Sequence, residues 1–216
     1  MVHVLDDLPM FSGLPAAEVA ALADSARHRR YPDGQVLCTA GDPADPLIVL
    51  LHGSARATRE SPDGRVVTLA RYEAPAGIDK IALLDGGAHP ATVTALTDVE
   101  VTYLPRAAVL RLLTAHPTVA GRLLATVAGM VRDRDERLCD ATLLDVPARV
   151  AKWLVRASDA GPVTLPQGQA GLAIELGASR VSVNRALKRF QTRGLVTVRT
   201  REVAVLDRAA LAQIAE

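Results

Sequence analysis

The side chains best suited to chemistry lie close together in residues 177–190, which read GASRVSVNRALKRF. Val183, Leu187 and Phe190 follow one another at intervals of four and three residues, so they share one face of a helix. Arginine, asparagine and lysine occupy much of the remaining surface. An arginine can donate two hydrogen bonds to guanine O6 and N7 in the major groove, so this helix is a candidate DNA reader. The alternative is a surface helix with solvated charges.

The neighbouring segments predict how this helix is positioned. A second apolar pattern, formed by Leu172, Ala173 and Leu176, stops at Gly177. Two short helices joined by a tight glycine turn are typical of a helix-turn-helix, whose second helix enters the major groove. Alternating strands on both sides of Thr200–Arg201 predict a β-hairpin, or wing, near the phosphate backbone. We expect DNA contacts from the following residues: Ser179, Arg180, Val181, Ser182, Asn184, Arg185, Lys188, Arg199 and Arg201.

The charge distribution agrees with a polyanion partner for the C-terminal part. The 216-residue chain has a formal net charge of +1. Residues 139–216 contain 11 Lys and Arg against 7 Asp and Glu, whereas residues 1–138 contain 14 against 17. A basic region beside an acidic one favours nucleic-acid binding at the basic end.

The remaining composition limits the class of protein. No apolar run approaches the roughly 18 residues of a membrane span, and the N-terminus lacks a signal-peptide pattern. We therefore expect a soluble, cytoplasmic protein with no membrane partner. Cys38 and Cys139 are too far apart to form a zinc or iron–sulfur spacing, and we expect both thiols to be buried. No metal site is expected.

Residues 31–104 have a different pattern, in which short apolar runs alternate with turn residues. Runs of this length and spacing indicate an all-β sandwich or barrel. The predicted strands lie in residues 35–38, 47–51, 66–72, 91–96 and 99–104. The apolar run 78–84 lacks turn residues and predicts one helical turn inside the β unit.

Residues 106–137 return to a helical pattern, with a break expected at His116–Pro117. After this break comes a stripe whose intervals of four, three and four residues match a coiled-coil seam. Its members are Leu123, Val127, Met130 and Arg134. We expect two copies to pair through the stripe, because major-groove readers commonly bind as two-fold dimers. The alternative is that the stripe packs on the β unit. Residues 138–147 are expected to form a hinge.

In this order the segments resemble the Crp/Fnr family of bacterial transcription regulators over nearly the whole chain. The segments that carry the resemblance are Phe11-x-x-Leu14, the Gly41–Asp42 turn, ALLDGG at 82–87, ATVTALTDVEV at 91–101, LGASRVSVNR at 176–185 and Val205–Asp207. The resemblance implies an α+β fold with a jelly-roll-like antiparallel β-roll (1–105), a long dimerisation helix with the hinge (106–138) and a winged helix-turn-helix (139–216). It implies a DNA-binding transcriptional regulator that binds a palindromic operator as a homodimer, and that contacts RNA polymerase if it is an activator.

The resemblance also implies an effector pocket, where this sequence departs from the cyclic-AMP-responsive members. Their Gly-Glu-Leu or Gly-Glu-Met, whose Glu binds the ribose hydroxyl, is replaced by Asp79-Lys80-Ile81. Their Arg-Ser-Ala or Arg-Thr-Ala, whose Arg neutralises the phosphate, is replaced by His89-Pro90-Ala91. Lys80 cannot accept a hydrogen bond, His89 lacks the guanidinium fork, and Pro90 has neither hydroxyl nor N–H.

On the dimer helix, the small polar residues that touch adenine in those members are replaced by Arg134 and Asp135. We therefore expect cyclic AMP to bind very weakly or not at all. Either the pocket holds a different small anion against Lys80 and His89, or side chains fill it, and the apolar replacements favour a filled or repurposed pocket. No further cofactor is expected, and the identity of any other effector stays open.

In the DNA-reading helix, Ser179, Arg180 and Arg185 keep the family pattern. Val181 stands where many members have a glutamate that accepts from cytosine N4. We expect a palindromic site with one base pair of each half-site different from the TGTGA-type element. The alternatives are a regulator that responds to a cyclic nucleotide or another small anion, and a sensing module that acts through protein contacts. No P-loop, nucleophile elbow or dinucleotide fingerprint supports an enzyme or catalytic residues.

Overall fold

The computed structural model describes residue 5 and residues 8–158, 161–165 and 168–215. The chain divides into two compact units. The first comprises Met1–Arg59 and Leu69–Arg132, and the second comprises Glu60–Thr68 and Asp133–Glu216.

Two four-stranded antiparallel sheets form the β-roll. The first sheet has the strand order β1-β8-β3-β6, with β1 (Arg27–Tyr31), β3 (Leu47–His52), β6 (Ala76–Ile78) and β8 (Val99–Leu104). The second has the order β2-β7-β4-β5, with β2 (Val36–Cys38), β4 (Ser54–Glu60), β5 (Val66–Glu73) and β7 (Thr92–Ala95). An α+β fold with a jelly-roll-like N-terminal part is thereby confirmed.

The continuous apolar run of β3 is explained by burial on both sides of its sheet. Ile48 and Leu50 belong to the core that includes residues of both sheets. Leu47 and Val49 point the other way and pack with the helices. Successive strand residues face opposite sides, so a strand buried on both sides is apolar throughout.

The helices of the first unit cover the outer face of the first sheet. They are α1 (Ala16–Asp24), α2 (Lys80–Asp85), α3 (Arg106–Ala115) and the start of α4 (Pro117–Leu143). Proline opens both α3 and α4, where its missing N–H does no harm. Val109, Val119 and Leu123 pack into the core that these helices share with the first sheet.

Helix α4 runs for 27 residues and ends at Leu143, so most of the expected hinge at 138–147 is helical. The segment contains no glycine or proline before Pro147, and nothing in its backbone chemistry stops the helix earlier. Helix α5 (Val146–Ala157) begins just beyond it. Asp145 Oδ1 caps α5 by accepting a hydrogen bond of 2.8 Å from the Ala148 backbone nitrogen.

The C-terminal part of the second unit is a winged helix-turn-helix. After α5 it contains β9 (Val163–Thr164), α6 (Gly168–Glu175), α7 (Arg180–Thr192), β10 (Val196–Val198), β11 (Glu202–Val205) and α8 (Arg208–Ile214), with the sheet order β10-β11-β9. Val183, Leu187 and Phe190 of α7 are buried in one core with Leu154 of α5. The helix spacing read from the sequence therefore gives the buried face of α7 correctly.

Candidate nucleic-acid interface and effector site

Helix α7 starts at a serine cap that follows a tight turn. Ser179 Oγ accepts a hydrogen bond of 3.1 Å from the Ser182 backbone nitrogen, and the two serine hydroxyls lie 2.9 Å apart. Such a cap satisfies one of the free N–H groups at a helix start. Gly177, in the turn between α6 and α7, has φ +58°, a left-handed conformation that L side chains rarely adopt.

Three side chains of α7 form an open surface, which we call the reading face: Val181, Arg185 and Lys188. Intervals of four and three residues place them on one side of the helix, opposite the buried side. Val181 is 68% exposed, although it is a large apolar residue, and the two cations are also exposed. None of the three side chains forms a hydrogen bond or ion pair with another described residue. This surface is therefore available to an external partner.

Asn184 is engaged inside the motif. Its Nδ2 atom donates a hydrogen bond of 2.8 Å to Gln169 Oε1 on α6. Arg149 Nη1, on α5, donates one of 2.9 Å to the Leu176 carbonyl at the end of α6. Together these bonds tie α6 to the helices on either side of it in sequence. Sequence reasoning missed Gln169 and Arg149, because their partners lie 15 and 27 positions away.

The remaining predicted DNA contacts lie at the surface of the same unit. Arg180 is exposed in the first turn of α7. Arg199 and Arg201 are exposed in the connection between β10 and β11. That these residues contact DNA stays a prediction.

The predicted effector segment, residues 77–91, is called the cassette below. Asp79 precedes α2, and its carboxylate Oδ2 pairs with His89 Nδ1. The two side chains are only 4% and 8% exposed, respectively. Asp79 Oδ1 is also buried, and it accepts no hydrogen bond from any described residue. The cassette thus contains a buried acid–imidazole pair with one open acceptor.

Both ends of α2 are held by side chains of the first unit. At its start, the Lys80 ammonium donates to the Gly77 carbonyl, and burial lowers the pKa of this ammonium group. At its end, Arg106 Nε and Nη2 donate to the carbonyls of Leu83 and Leu84 at 2.8 and 3.1 Å. Sequence reasoning missed Arg106, which lies outside the cassette.

The structure changes the interpretation of the first half of the cassette. The sequence comparison put Lys80 at the position of the ribose-binding glutamate, but the buried carboxylate of this segment belongs to Asp79. An acceptor is therefore present, one residue earlier. Ile81 is only partly buried beside it.

The second half of the cassette joins the β-roll. Ala91 is buried in the core that includes residues of both sheets, and the Pro90 carbonyl accepts a hydrogen bond of 2.8 Å from Arg59 Nη1. Arg134 and Asp135 lie in the second unit, exposed on α4. Their assignment to the effector pocket stays a prediction.

The expected dimer seam on α4 needs one correction. Leu123 is 1% exposed and packs in the core of the first unit, so it is not available to a partner. At this position the alternative, that the stripe packs on the β unit, is the correct one. Val127 and Met130 are partly exposed. The large apolar residues most exposed along this part of α4 are spaced by seven: Leu124 (62%), Val131 (52%) and Leu138 (66%).

The thiols differ from the expectation. Cys139 is exposed on α4, whereas Cys38 is half-buried and burial raises its pKa to about 11. Among the described residues, no three His, Cys, Asp or Glu side chains are grouped so as to hold a metal ion. In the same parts of the chain, no helix combines the length and apolarity needed to span a membrane.

Comparisons with known proteins identify the family. Residues 28–116 match the model of the cyclic nucleotide-binding domain, and residues 148–214 match that of the Crp-like helix-turn-helix domain. The chain is 28% identical over 221 residues to the CRP-like cAMP-activated global transcriptional regulator of Mycobacterium tuberculosis, with 99% of both chains covered. It is 31% identical over 208 residues to the cyclic AMP receptor protein of Thermus thermophilus, covering 94% of this chain and 96% of the relative. The chain belongs to the Crp/Fnr family.

A solved structure supports the fold of this Crp/Fnr protein. FixK2 from Bradyrhizobium japonicum superposes with a TM-score of 0.77, covering 88% of this chain and 98% of that one at 22% identity. At this identity the likeness bears on the β-roll and helix-turn-helix architecture. Membership of the Crp/Fnr family, with its DNA-binding helix-turn-helix, makes the protein a transcriptional regulator.

Proposed function

We propose that this Crp/Fnr regulator is a cytoplasmic homodimer that binds a palindromic operator and is not controlled by cyclic AMP. The observation that supports DNA binding is the reading face. Its two cations and one apolar side chain have no partner among the described residues. A buried opposite side fixes the orientation of α7, so the reading face points away from the core.

The chemistry of the reading face suggests which bases it selects. Arg185 has the fork that donates to guanine O6 and N7, and Val181 can contact only an apolar group such as the thymine methyl. Lys188 is a point charge suited to a phosphate. Ser179, Arg180, Ser182 and the wing residues would add contacts that position α7 without reading sequence. The oxygen of the Asn184 amide is left for a base or phosphate, since its nitrogen is engaged by Gln169.

The exposed heptad stripe of α4 supports pairing with a second copy. Leu124, Val131 and Leu138 repeat at seven residues, which is the period of a two-stranded coiled coil. Val127, Met130 and Arg134 lie beside this stripe and complete the proposed seam. A second copy is the occupant that fits, because two reading helices related by a two-fold axis match the two half-sites of a palindrome.

The contacts of the cassette support independence from cyclic AMP. His89 replaces the phosphate-neutralising arginine, and its Nδ1 atom already faces Asp79. The nearby ammonium of Lys80 is engaged by a carbonyl, and Pro90 has no N–H to offer. Lys80 and Arg59 already donate to the backbone carbonyls of Gly77 and Pro90, so a cyclic phosphate would have to compete with these carbonyls for a cation.

A regulator that responds to a cyclic nucleotide or another small anion is the second candidate. It is favoured by the match to the cyclic nucleotide-binding domain and by the open acceptor Asp79 Oδ1, which suits a ribose hydroxyl. If the regulator activates transcription, RNA polymerase is a further partner. We keep the division into residues 1–105, 106–138 and 139–216 as part of this proposal.

The proposal is tested with the purified full-length protein and no added ligand. Sedimentation equilibrium should give the mass of a dimer, and selection from randomised duplexes should return an inverted repeat. Binding to the selected duplex should weaken steeply with salt, because phosphate contacts release counterions. A monomer in solution, or equal affinity for all duplexes at moderate salt, would contradict the proposal.

A further inference from the structure

The cassette holds a buried acid in a strained backbone conformation. Asp79 has φ +64° and, in the parts of the chain that the structure describes, is the one non-glycine residue with a positive φ. Such a conformation persists only where the surroundings enforce it, and it is concentrated at ligand sites and switches. Here it turns the carboxylate inward onto His89. The strain needs an explanation in terms of what the carboxylate does there.

We propose that Asp79 is an internal anion, whose carboxylate takes the position beside His89 that the anionic group of an effector would need, and so holds the cassette in one conformation without ligand. The part of this inference that concerns regulation rests on the proposed function, since its readout is DNA binding.

The electrostatics of the pair favour this role. A buried charge is tolerated when it is paired, and both side chains are more than nine-tenths buried. An effector anion would have to displace a carboxylate that is tethered to the same chain and therefore never diluted. It would also meet the negative charge of that carboxylate at short range. Burial raises the pKa of Cys38 to about 11, so this thiol stays neutral and adds no negative charge beside the pair.

The rest of the cassette agrees with a ligand-free closed state. Arg106 holds the end of α2 through two carbonyls, and Lys80 holds its start through Gly77. Gly86, with φ +72°, closes the helix where an added Cβ would lie 3.3 Å from Arg106 Nη2. Side chains of the protein itself therefore hold both ends of α2 without a ligand.

The substitution Asp79→Gly separates this role from a structural one. Glycine adopts the left-handed conformation freely, so relief of strain alone predicts an unchanged or higher melting temperature. If Asp79 is an internal anion, its removal should weaken the binding of the ligand-free protein to the selected operator by about tenfold or more. A change of this size lies within the range of coupling between distant sites. Sodium formate, which can replace the missing carboxylate, should restore binding, whereas sodium chloride at equal ionic strength should not.

Two further variants serve as controls. Asp85→Asn removes the charge of an exposed acid at the end of the same helix but keeps an oxygen to accept from the Gly87 backbone nitrogen, so it should leave binding unchanged, with no response to formate. The double variant Asp79→Gly, His89→Gln should lose the formate response, because formate then has no imidazole to pair with. If Asp79→Gly does not fold, Asp79→Asn keeps the shape without the charge and should also weaken ligand-free binding.

The possible outcomes test the internal anion and the proposed function separately. Parent-like DNA binding by the Asp79 variants, or lost binding that formate does not restore in Asp79→Gly, would overturn the internal anion. If the parent itself binds no DNA, the proposed function fails instead. The internal anion is then judged by melting temperature, which formate should raise in Asp79→Gly but not in the parent. An equal effect of formate on both proteins overturns it.

Discussion

Helix α2 of the first unit and helix α7 of the second treat their cations in opposite ways. Around α2, Lys80 and Arg106 donate to backbone carbonyls of their own unit. On α7, Arg185 and Lys188 have no partner among the described residues. Both regions are rich in donors, but only α7 leaves them available to another molecule. A cation that already donates to its own backbone is therefore a weaker candidate for an anion site than one without an internal partner.

The largest expected effect concerns cyclic AMP. Loss of a charged pair and several hydrogen bonds at the cassette should weaken binding by about 4 kcal/mol, or a thousandfold, relative to a site with a free arginine. Calorimetry with cyclic AMP and cyclic GMP should show no saturable heat up to about 1 mM ligand, a limit of about −4 kcal/mol in binding free energy. Operator DNA titrated into the same sample is the positive control. A micromolar dissociation constant for either nucleotide would contradict this prediction, because the cations around α2 would then be available to a ligand, as those of α7 are.

Two neighbouring leucines of α4 also differ in whether their own unit covers them: Leu123 is buried, whereas Leu124 is exposed. Leu123→Ala should lower the free energy of unfolding by about 2–5 kcal/mol, because the residue is buried in the core. Leu124→Ala should change the stability of the subunit by about 0.5 kcal/mol or less, as is usual at an exposed site. It should instead weaken dimerisation. Urea unfolding combined with sedimentation at several protein concentrations distinguishes the two, and a reversed pattern would exclude the proposed seam.

On the reading face, Arg185→Ala should weaken operator binding by about 1–3 kcal/mol and reduce the base preference at one position of each half-site. Arg193→Ala is the matched control, since Arg193 is exposed at the end of α7, away from the reading face. Anisotropy titrations against duplexes mutated one base pair at a time provide the measurement. An equal loss on every sequence would make Arg185 a phosphate contact and not a base reader.

A smaller effect is expected where charges are paired but only partly buried. Lys152 Nζ lies 2.6 Å from Asp140 Oδ1 and 3.2 Å from Glu136 Oε1, which joins α5 to the end of α4. Lys152→Met should lower stability at pH 7 by less than about 1 kcal/mol, because solvent screens such pairs.

The pH dependence of this effect has a defined sign. A hydrogen bond from Lys152 lowers the pKa of Glu136, so this stabilisation is present above the ordinary value of 4.5 and is lost as pH falls through the lowered pKa. A hydrogen bond to Asp140 raises the pKa of Lys152, so its contribution is fully present below the ordinary value of 10.5 and is lost as the pH rises through the raised pKa. The difference between Lys152→Met and the parent in urea unfolding should therefore shrink as the pH falls below 4.5 and through the lowered pKa of Glu136. A constant difference would mean that the lysine acts through packing.

The parts of the fold that could be read from the sequence are those with a strong apolar period. The run 47–51 forms β3 because it is buried on both sides, and 99–104 forms β8. Strands β1 (RHRRY) and β4 (SARATRE) give no such signal. In β1 only Tyr31 is buried, and the inward positions of β4 include the small residues Ala55 and Ala57. Polar sequence forms strands here because neighbouring strands complete their hydrogen bonds.

The two candidate sites also differ in how far they could be predicted from the sequence. The helix-turn-helix depends on contacts a few residues apart, which spacing reveals. The Asp79–His89 pair and the reach of Arg106 to Leu83 span 10 and 23 positions, and they depend on how the β-roll closes. The prediction for the stripe on α4 is wrong at Leu123, since a shift of one residue changes which face of a helix meets the core.

The small size of the reading face limits how rare its targets can be. In the proposed binding mode Arg185 and Val181 read about two base pairs in each half-site, since Lys188 contacts a phosphate, so a symmetric pair reads about four. A code of four base pairs recurs about once in 256 positions of random sequence, which leaves on the order of ten thousand competing sites in a chromosome of several million base pairs. Target choice in the cell would then depend on how easily each duplex bends and on how many molecules of the regulator compete for these sites.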